Sequence, residues 1–135
     1  MTAGRPLRAK DLKLIEAARD VLRRGSRDDR HSVAAAVRTR SGHIYLGRCV
    51  EGIHGPCAEP VAIGAAITAG DSLIESMVAV TGSGRTYPVL SPCGNCRQLL
   101  LDYAPKAEVL VGFPNGRVAR LTAEESLPAA FRTFG

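Results

Sequence analysis

Residues 10 to 24 set Leu14, Ile15, Ala18, Val21 and Leu22 on one stripe with charged side chains between them, the spacing of an amphipathic helix. A polar stretch from Gly25 to Arg30 follows. Then SVAAAVRT and, after the turn residues RSGH, IYLGRCV predict two strands paired in a hairpin. The segment from Cys57 to Ala69, CAEPVAIGAAITA, is small and apolar on every side and meets Gly70, which predicts a buried helix with a glycine stop. IESMVAVT reads as a strand, GSGRTYPVL as a loop, and SPCGNCRQLLLDY as a turn running into a helix that ends before Pro105. EVLVGF and RVARL, joined by Pro-Asn-Gly, read as two last strands, followed by a short helix at LTAEESL and the tail PAAFRTFG. The order is helix, two strands, helix, strand, helix, two strands. It predicts an α/β fold with one mixed five-stranded sheet and helices on its faces, without internal repeats or linkers.

A length of 135 residues with 45% hydrophobic content suits one core, so a single domain over residues 1–135 is expected. The chain holds no uninterrupted apolar run of membrane-spanning length. MTAGRPLRAKDLK is basic without the apolar run of a secretory signal, so the expectation is a cytoplasmic protein with no membrane association. In a reducing compartment, Cys49, Cys57, Cys93 and Cys96 fit metal ligands, reactive thiols or packed hydrophobes better than disulfides. The net charge of +5 raises the question of a nucleic-acid partner. With no Trp, three Phe and three Tyr, the chain lacks the aromatic residues of a base-stacking surface, and the basic residues read as a solvated helix face.

Cys93 and Cys96 form C-x-x-C at a helix start, where free backbone N–H groups and the helix dipole favour thiolates. Alone, the pair also suits a thioredoxin-like redox site. Cys57 opens another predicted helix, so three thiolates can meet one zinc ion if the helices lie side by side, leaving the fourth position open as in catalytic sites. Glu59, two residues on, falls in the first helical turn, where its carboxylate can act as general base and then general acid. C-x-E…P-C-x-x-C with three cysteines is the signature of zinc nucleobase deaminases.

GPCAEPVAIGAAITAG and SPCGNCRQLLLD resemble the cytidine deaminase family, and more closely its blasticidin S deaminase-like branch, over roughly Asp29 to Phe131. The resemblance implies a three-layer α/β/α fold and a homotetramer with active sites shared between subunits. It also implies one Zn2+ per subunit, held by Cys57, Cys93 and Cys96. The implied reaction is hydrolytic deamination of a cytosine nucleoside or analogue, zinc-bound hydroxide attacking C4 while Glu59 shuttles protons and ammonia leaves. Substrate would be met by Glu51, by Ala58, by the Ser91 carbonyl accepting from the exocyclic amine, by His31, and by Phe131 directed toward a neighbouring subunit's pocket.

Two departures stand out. Pro60 replaces the arginine that many members carry after C-A-E, leaving the thiolate charge to be offset elsewhere, with Arg97 a candidate. Cys49-Val50-Glu51 replaces the N-x-E of ribose-binding members, and a thiol cannot supply an amide's paired donor and acceptor. Other readings are a deaminase of another aminated heterocycle, a nucleic-acid-editing deaminase, and a zinc-stabilised scaffold in which Cys49 is a fourth ligand. His54 reads as a pocket or loop residue and His43 as a strand-face residue.

Overall fold

A computed structural model describes residues 4–25, 31–82 and 86–132. The polar stretch beyond Gly25, residues 83–85 of the GSGRTYPVL loop and the last three residues of the tail lie outside the described residues. The elements are α1 (Ala9–Arg23), β1 (Val33–Thr39), β2 (Ile44–Arg48), α2 (Ala58–Thr68), β3 (Ile74–Thr81), β4 (Val89–Leu90), α3 (Gly94–Tyr103), β5 (Glu108–Gly112), β6 (Val118–Thr122) and α4 (Ala123–Ser126).

The main sheet order is β2-β1-β3-β5-β6, with β3 and β5 parallel and the other neighbours antiparallel. The expected mixed sheet is present with six strands rather than five. The extra strand, β4, lies in the segment read as a loop. Its two residues are too few to display a period, and only pairing with β3 makes them a strand. β3 changes partner along its length: Ser76 and Met77 pair with β5, whereas Ala79 and Val80 pair with Leu90 and Val89 of β4.

Alternation along the strands builds the three layers. Ala34, Ala36, Val78, Val80 and Leu110 face α1 and meet Leu14, Ile15, Ala18, Val21 and Leu22. Their neighbours Ala35, Val37, Met77, Ala79, Val109 and Val111 face the other way, onto Ala62, Ile63, Ala66, Leu100, Leu101 and Ala123 of α2, α3 and α4. Central strands covered on both faces need apolar residues at consecutive positions, which is why SVAAAVRT carries no alternation of its own.

Helix α2 sits close to the sheet because its partner on β2 is Gly47. A Cβ there would stand 2.6 Å from the Ala58 carbonyl oxygen and would also collide with the Ala62 nitrogen. The helix is buried along one face, through Ala58, Ala62, Ile63 and Ala66, rather than all round, and Ile67 is 41% exposed. One sheet covers one side of a helix, and among the described residues nothing comparable covers Ile67 and Thr68 on the other.

Opposite the α2 and α3 N-termini, at the other end of β1 and β5, a charged network replaces apolar packing. Asp11, fully buried in the first turn of α1, accepts from the Arg8 backbone N–H at 2.8 Å and pairs with Arg8, Arg38 and Arg120 at 3.1, 3.6 and 3.8 Å. Glu108 at the start of β5 binds Arg8 and Arg120, each at 2.6 Å. Burial pushes the Asp11 carboxyl up, but hydrogen bonds and charge from Arg8, with further charge from Arg38, outweigh it and hold the pKa below the ordinary range. Among the described residues, no helix is long and apolar enough to cross a membrane.

Removing the Asp11 charge takes a carboxylate from Arg38, whose side chain is 7% exposed, and leaves Glu75 at 3.6 Å to face it. Asp11→Asn is expected to lower unfolding free energy at neutral pH by about 3 kcal/mol in chemical denaturation. Because the folded-state pKa is depressed, the Asp11 contribution is complete above the ordinary carboxylate pKa, near pH ~4, and is lost as pH falls through the folded value. A variant as stable as the parent at neutral pH would refute this account.

Candidate active site

Two helices begin side by side with cysteine. Cys57 is the N-cap of α2, extended at φ −61° and ψ 171°, and Cys93 is the N-cap of α3 at φ −67° and ψ 168°. Neither side chain makes a full capping hydrogen bond, and the Cys93 sulfur lies near the Asn95 and Cys96 N–H groups at the start of α3. Cys96, in the first turn of α3, completes the group. The three sulfurs all lie within 4.8 Å of one another.

That donor set fits a zinc ion. Tetrahedral sulfurs at the usual Zn–S distance stand about 3.8 Å apart, so the triad needs only slight contraction around a metal. Cys96 is buried while Cys57 and Cys93 are exposed, so the group is closed on the protein side and open toward solvent. Cys49 lies outside the triad, which removes the fourth ligand that a closed structural site would require.

Protonation follows burial. Burial pushes the Cys96 thiol well up, with the charge of Glu59 adding to it. Burial also raises Cys57, offset in part by a hydrogen bond from Cys96 and reinforced by the charges of Cys93 and Glu59. At Cys93 burial acts upward as well, but donors prevail: the Cys96 backbone N–H, the Cys96 thiol, the Asn95 N–H and the Cys57 thiol bring it below the usual thiol value. Cys93 is therefore the first thiolate of the group, at a helix N-terminus where the dipole favours it. Glu59 is 4% exposed, and burial raises its carboxyl against hydrogen bonds from its own backbone N–H and from Cys96.

A cleft of about 330 Å3 opens over this group. It gathers Cys57, Cys93, Glu59, Ala58, Glu51 and Ser91 of the residues singled out in the sequence, together with Cys49. The buried Cys49 sulfur accepts from the Val33 N–H at 3.4 Å and its thiol points to the Glu51 carboxylate at 3.9 Å. His31 is not in the cleft wall. It precedes β1, half-buried, and its carbonyl accepts from Arg48 at 2.8 Å. Phe131 also stands outside this cleft, with a 71% exposed side chain and its carbonyl bound by Gln98 of α3 at 2.9 Å. His54 is exposed in the loop before Cys57, and His43 lies in the β1–β2 turn, 2.9 Å from the Ser41 hydroxyl.

Arg97 does not face the sulfurs. Its guanidinium donates to the Pro92 carbonyl at 2.8 Å and to the Ser126 carbonyl at 3.3 Å, so it fixes the loop entering α3 and ties it to α4. Offset of thiolate charge falls to the two helix N-termini. Val33 and Leu90 also line the cleft and went unnoticed in the sequence. Only the position of β4 beside β3 brings Leu90 there; the lone signal was an apolar pair just before Ser91.

Residues 8–112 match the family described as cytidine and deoxycytidylate deaminase zinc-binding region. The chain is 37% identical over 129 residues to a blasticidin-S deaminase of Bacillus cereus, covering 90% of this chain and 91% of that one. It is 31% identical over 106 residues to a cytidine deaminase of Halalkalibacterium halodurans, covering 76% of this chain and 78% of that one. The crystal structure of cytidine deaminase from Burkholderia pseudomallei superimposes with a TM-score of 0.71 at 29% identity, over 97% of this chain and all of that one.

Metal uptake by this triad must displace protons held on Cys57 and Cys96, whose pKa values are raised. Zinc affinity is expected to weaken by an order of magnitude or more between about pH 8 and pH 6, with proton release visible as a buffer-dependent heat of binding. Affinity independent of pH over that range would be incompatible with the triad as ligand set.

Proposed function

The chain belongs to the cytidine and deoxycytidylate deaminase zinc-binding family, and on that premise we propose that it is a zinc-dependent aminohydrolase of a free cytosine noucleoside or analogue, of cytidine, deoxycytidine or blasticidin S type. The observation that carries this reading is the convergence of three cysteine sulfurs beside a buried glutamate at the base of an open cleft. Cys57, Cys93 and Cys96 would hold the zinc, which when bound supplies a Lewis acid that makes water a nucleophile at neutral pH.

Glu59 moves the protons. Its buried carboxylate, with a raised pKa, takes a proton from the attacking water, passes it to ring N3 as C4 is attacked, and then helps protonate the departing amine. Water and the aminated ring become the ring carbonyl and ammonia, with no other reactant. The Ser91 carbonyl accepts from the exocyclic amine, Ala58 borders the ring, and Glu51 accepts from a sugar or sugar-like hydroxyl. His31 and Phe131 stand outside this chain's cleft, and their roles as substrate contacts depend on a neighbouring subunit.

A second reading, deamination of another aminated heterocycle, is favoured by the thiol of Cys49 facing Glu51 where ribose-binding relatives offer an amide. In either case the substrate is a small molecule rather than nucleic acid, the whole of residues 1–135 acts as one domain, and the location is the cytoplasm. The uncovered side of α2, with Ile67 exposed, and the projecting Phe131 support a homotetramer with shared active sites.

Ammonia release by the zinc-loaded protein is expected with at least one of cytidine, deoxycytidine, cytosine, blasticidin S and related aminated pyrimidines, triazines and purines. Glu59→Gln should lower kcat by at least about 100-fold while retaining zinc. A Glu59→Gln variant as active as the parent, or a parent silent across the panel, would remove the proposal. Sedimentation should give a mass near four times the 14.3 kDa chain, and a monomer at micromolar concentration would overturn the tetramer.

A further inference from the structure

Ser91 forms a partition between two cavities. On one side is the 330 Å3 cleft; on the other is a separate space of about 590 Å3, bordered by Gly112, Phe113, Arg97 and Glu125. Open volume on two sides of Ser91 leaves its position to be set by hydrogen bonds and by its neighbours in the chain. What secures residue 91 is its own side chain. The Ser91 hydroxyl donates to the Gly112 carbonyl at 2.8 Å and accepts from the Gly112 N–H at 3.0 Å, imitating the strand partner that the end of β5 would otherwise have there.

The surrounding segment is tied at each step. The Pro88 carbonyl accepts from the Thr81 N–H at 3.1 Å, Val89 and Leu90 pair with β3, and the Pro92 carbonyl accepts from Arg97 at 2.8 Å. Pro92 also confines Ser91 to extended backbone. β5 approaches closely at the same point, since a Cβ on Gly112 would stand 3.0 Å from the Val89 carbonyl oxygen. These other ties act on the neighbours of Ser91; the hydroxyl acts on Ser91 itself.

We propose that the Ser91 hydroxyl is a positioning group, which by gripping both polar atoms of Gly112 holds the Ser91 carbonyl in the cleft wall where it accepts from the exocyclic amine of the substrate. The inference rests on the deaminase reading above and adds to it a residue pair, Ser91 and Gly112, that sets substrate recognition from behind the cleft. The effect is selective. The amine is present in the substrate and replaced by a carbonyl in the product, which as an acceptor gains nothing from the Ser91 carbonyl, so a displaced Ser91 carbonyl weakens the substrate complex and does not weaken the product complex.

The test compares Ser91→Ala and Gly112→Ala with the parent, all zinc-loaded, on whichever panel compound the parent deaminates. Ser91→Ala removes the grip; Gly112→Ala keeps the hydroxyl but forces the Val89 carbonyl to move. Both are expected to lower kcat/KM about 10- to 100-fold, mainly through KM, with one zinc per chain retained and the Kd of the deaminated product, measured by calorimetry, no more than about twofold weaker than in the parent. Equal weakening of substrate and product, loss of zinc in step with activity, or a Ser91→Ala variant as efficient as the parent would overturn the positioning role while leaving the deaminase reading intact. A parent that deaminates nothing on the panel would overturn both.

Discussion

The structure depends on two helices starting at the same place. α2 and α3 pack on one face of the sheet, against Met77, Ala79, Val109 and Val111, and their N-termini meet with cysteine at each cap. Backbone donors at a helix start favour negative charge, so two such ends side by side form a site for thiolates before any metal is considered. Small residues make this possible. Ala58, Ala62 and Gly47 let α2 settle against β2, and a larger side chain at Gly47 would lift the helix, with Cys57 and Glu59, off the sheet.

A zinc ion with three thiolates carries a formal charge of minus one, which opposes acidification of water. Pro60 follows the glutamate and brings no positive charge, and Arg97 holds two carbonyls of the backbone. The compensating elements are therefore the helix ends themselves. Beside them, burial raises the Glu59 carboxyl, so this group holds a proton more readily than an exposed glutamate does.

The sheet divides its tasks between its two ends. Around Arg38 and Glu108 a charged network joins α1, β1, β5 and β6 and locks their relative positions. At the other end, near Val33 and Gly112, the strands finish in loops that carry the cleft. Rigid strands thus connect a region that holds the layers in register to one where the geometry of Ser91, Cys93 and Glu51 matters, the usual arrangement of functional loops on a fixed scaffold.

Local pattern determined a good deal here. Leu14, Ile15, Ala18, Val21 and Leu22 spelled out α1, IESMVAVT marked β3 to the residue, and the two cysteine motifs picked out the three sulfurs that stand together in a group able to hold a metal, because periodicity and ligand spacing are properties of short stretches of chain. Tertiary structure alone decided the rest. Val89 and Leu90 became a strand through pairing with β3, Arg97 found carbonyls rather than sulfurs, Cys49 stayed outside the triad, and α2 was left with Ile67 exposed. Each of these depends on contacts between residues distant along the chain, and no local period or motif encodes where such segments meet.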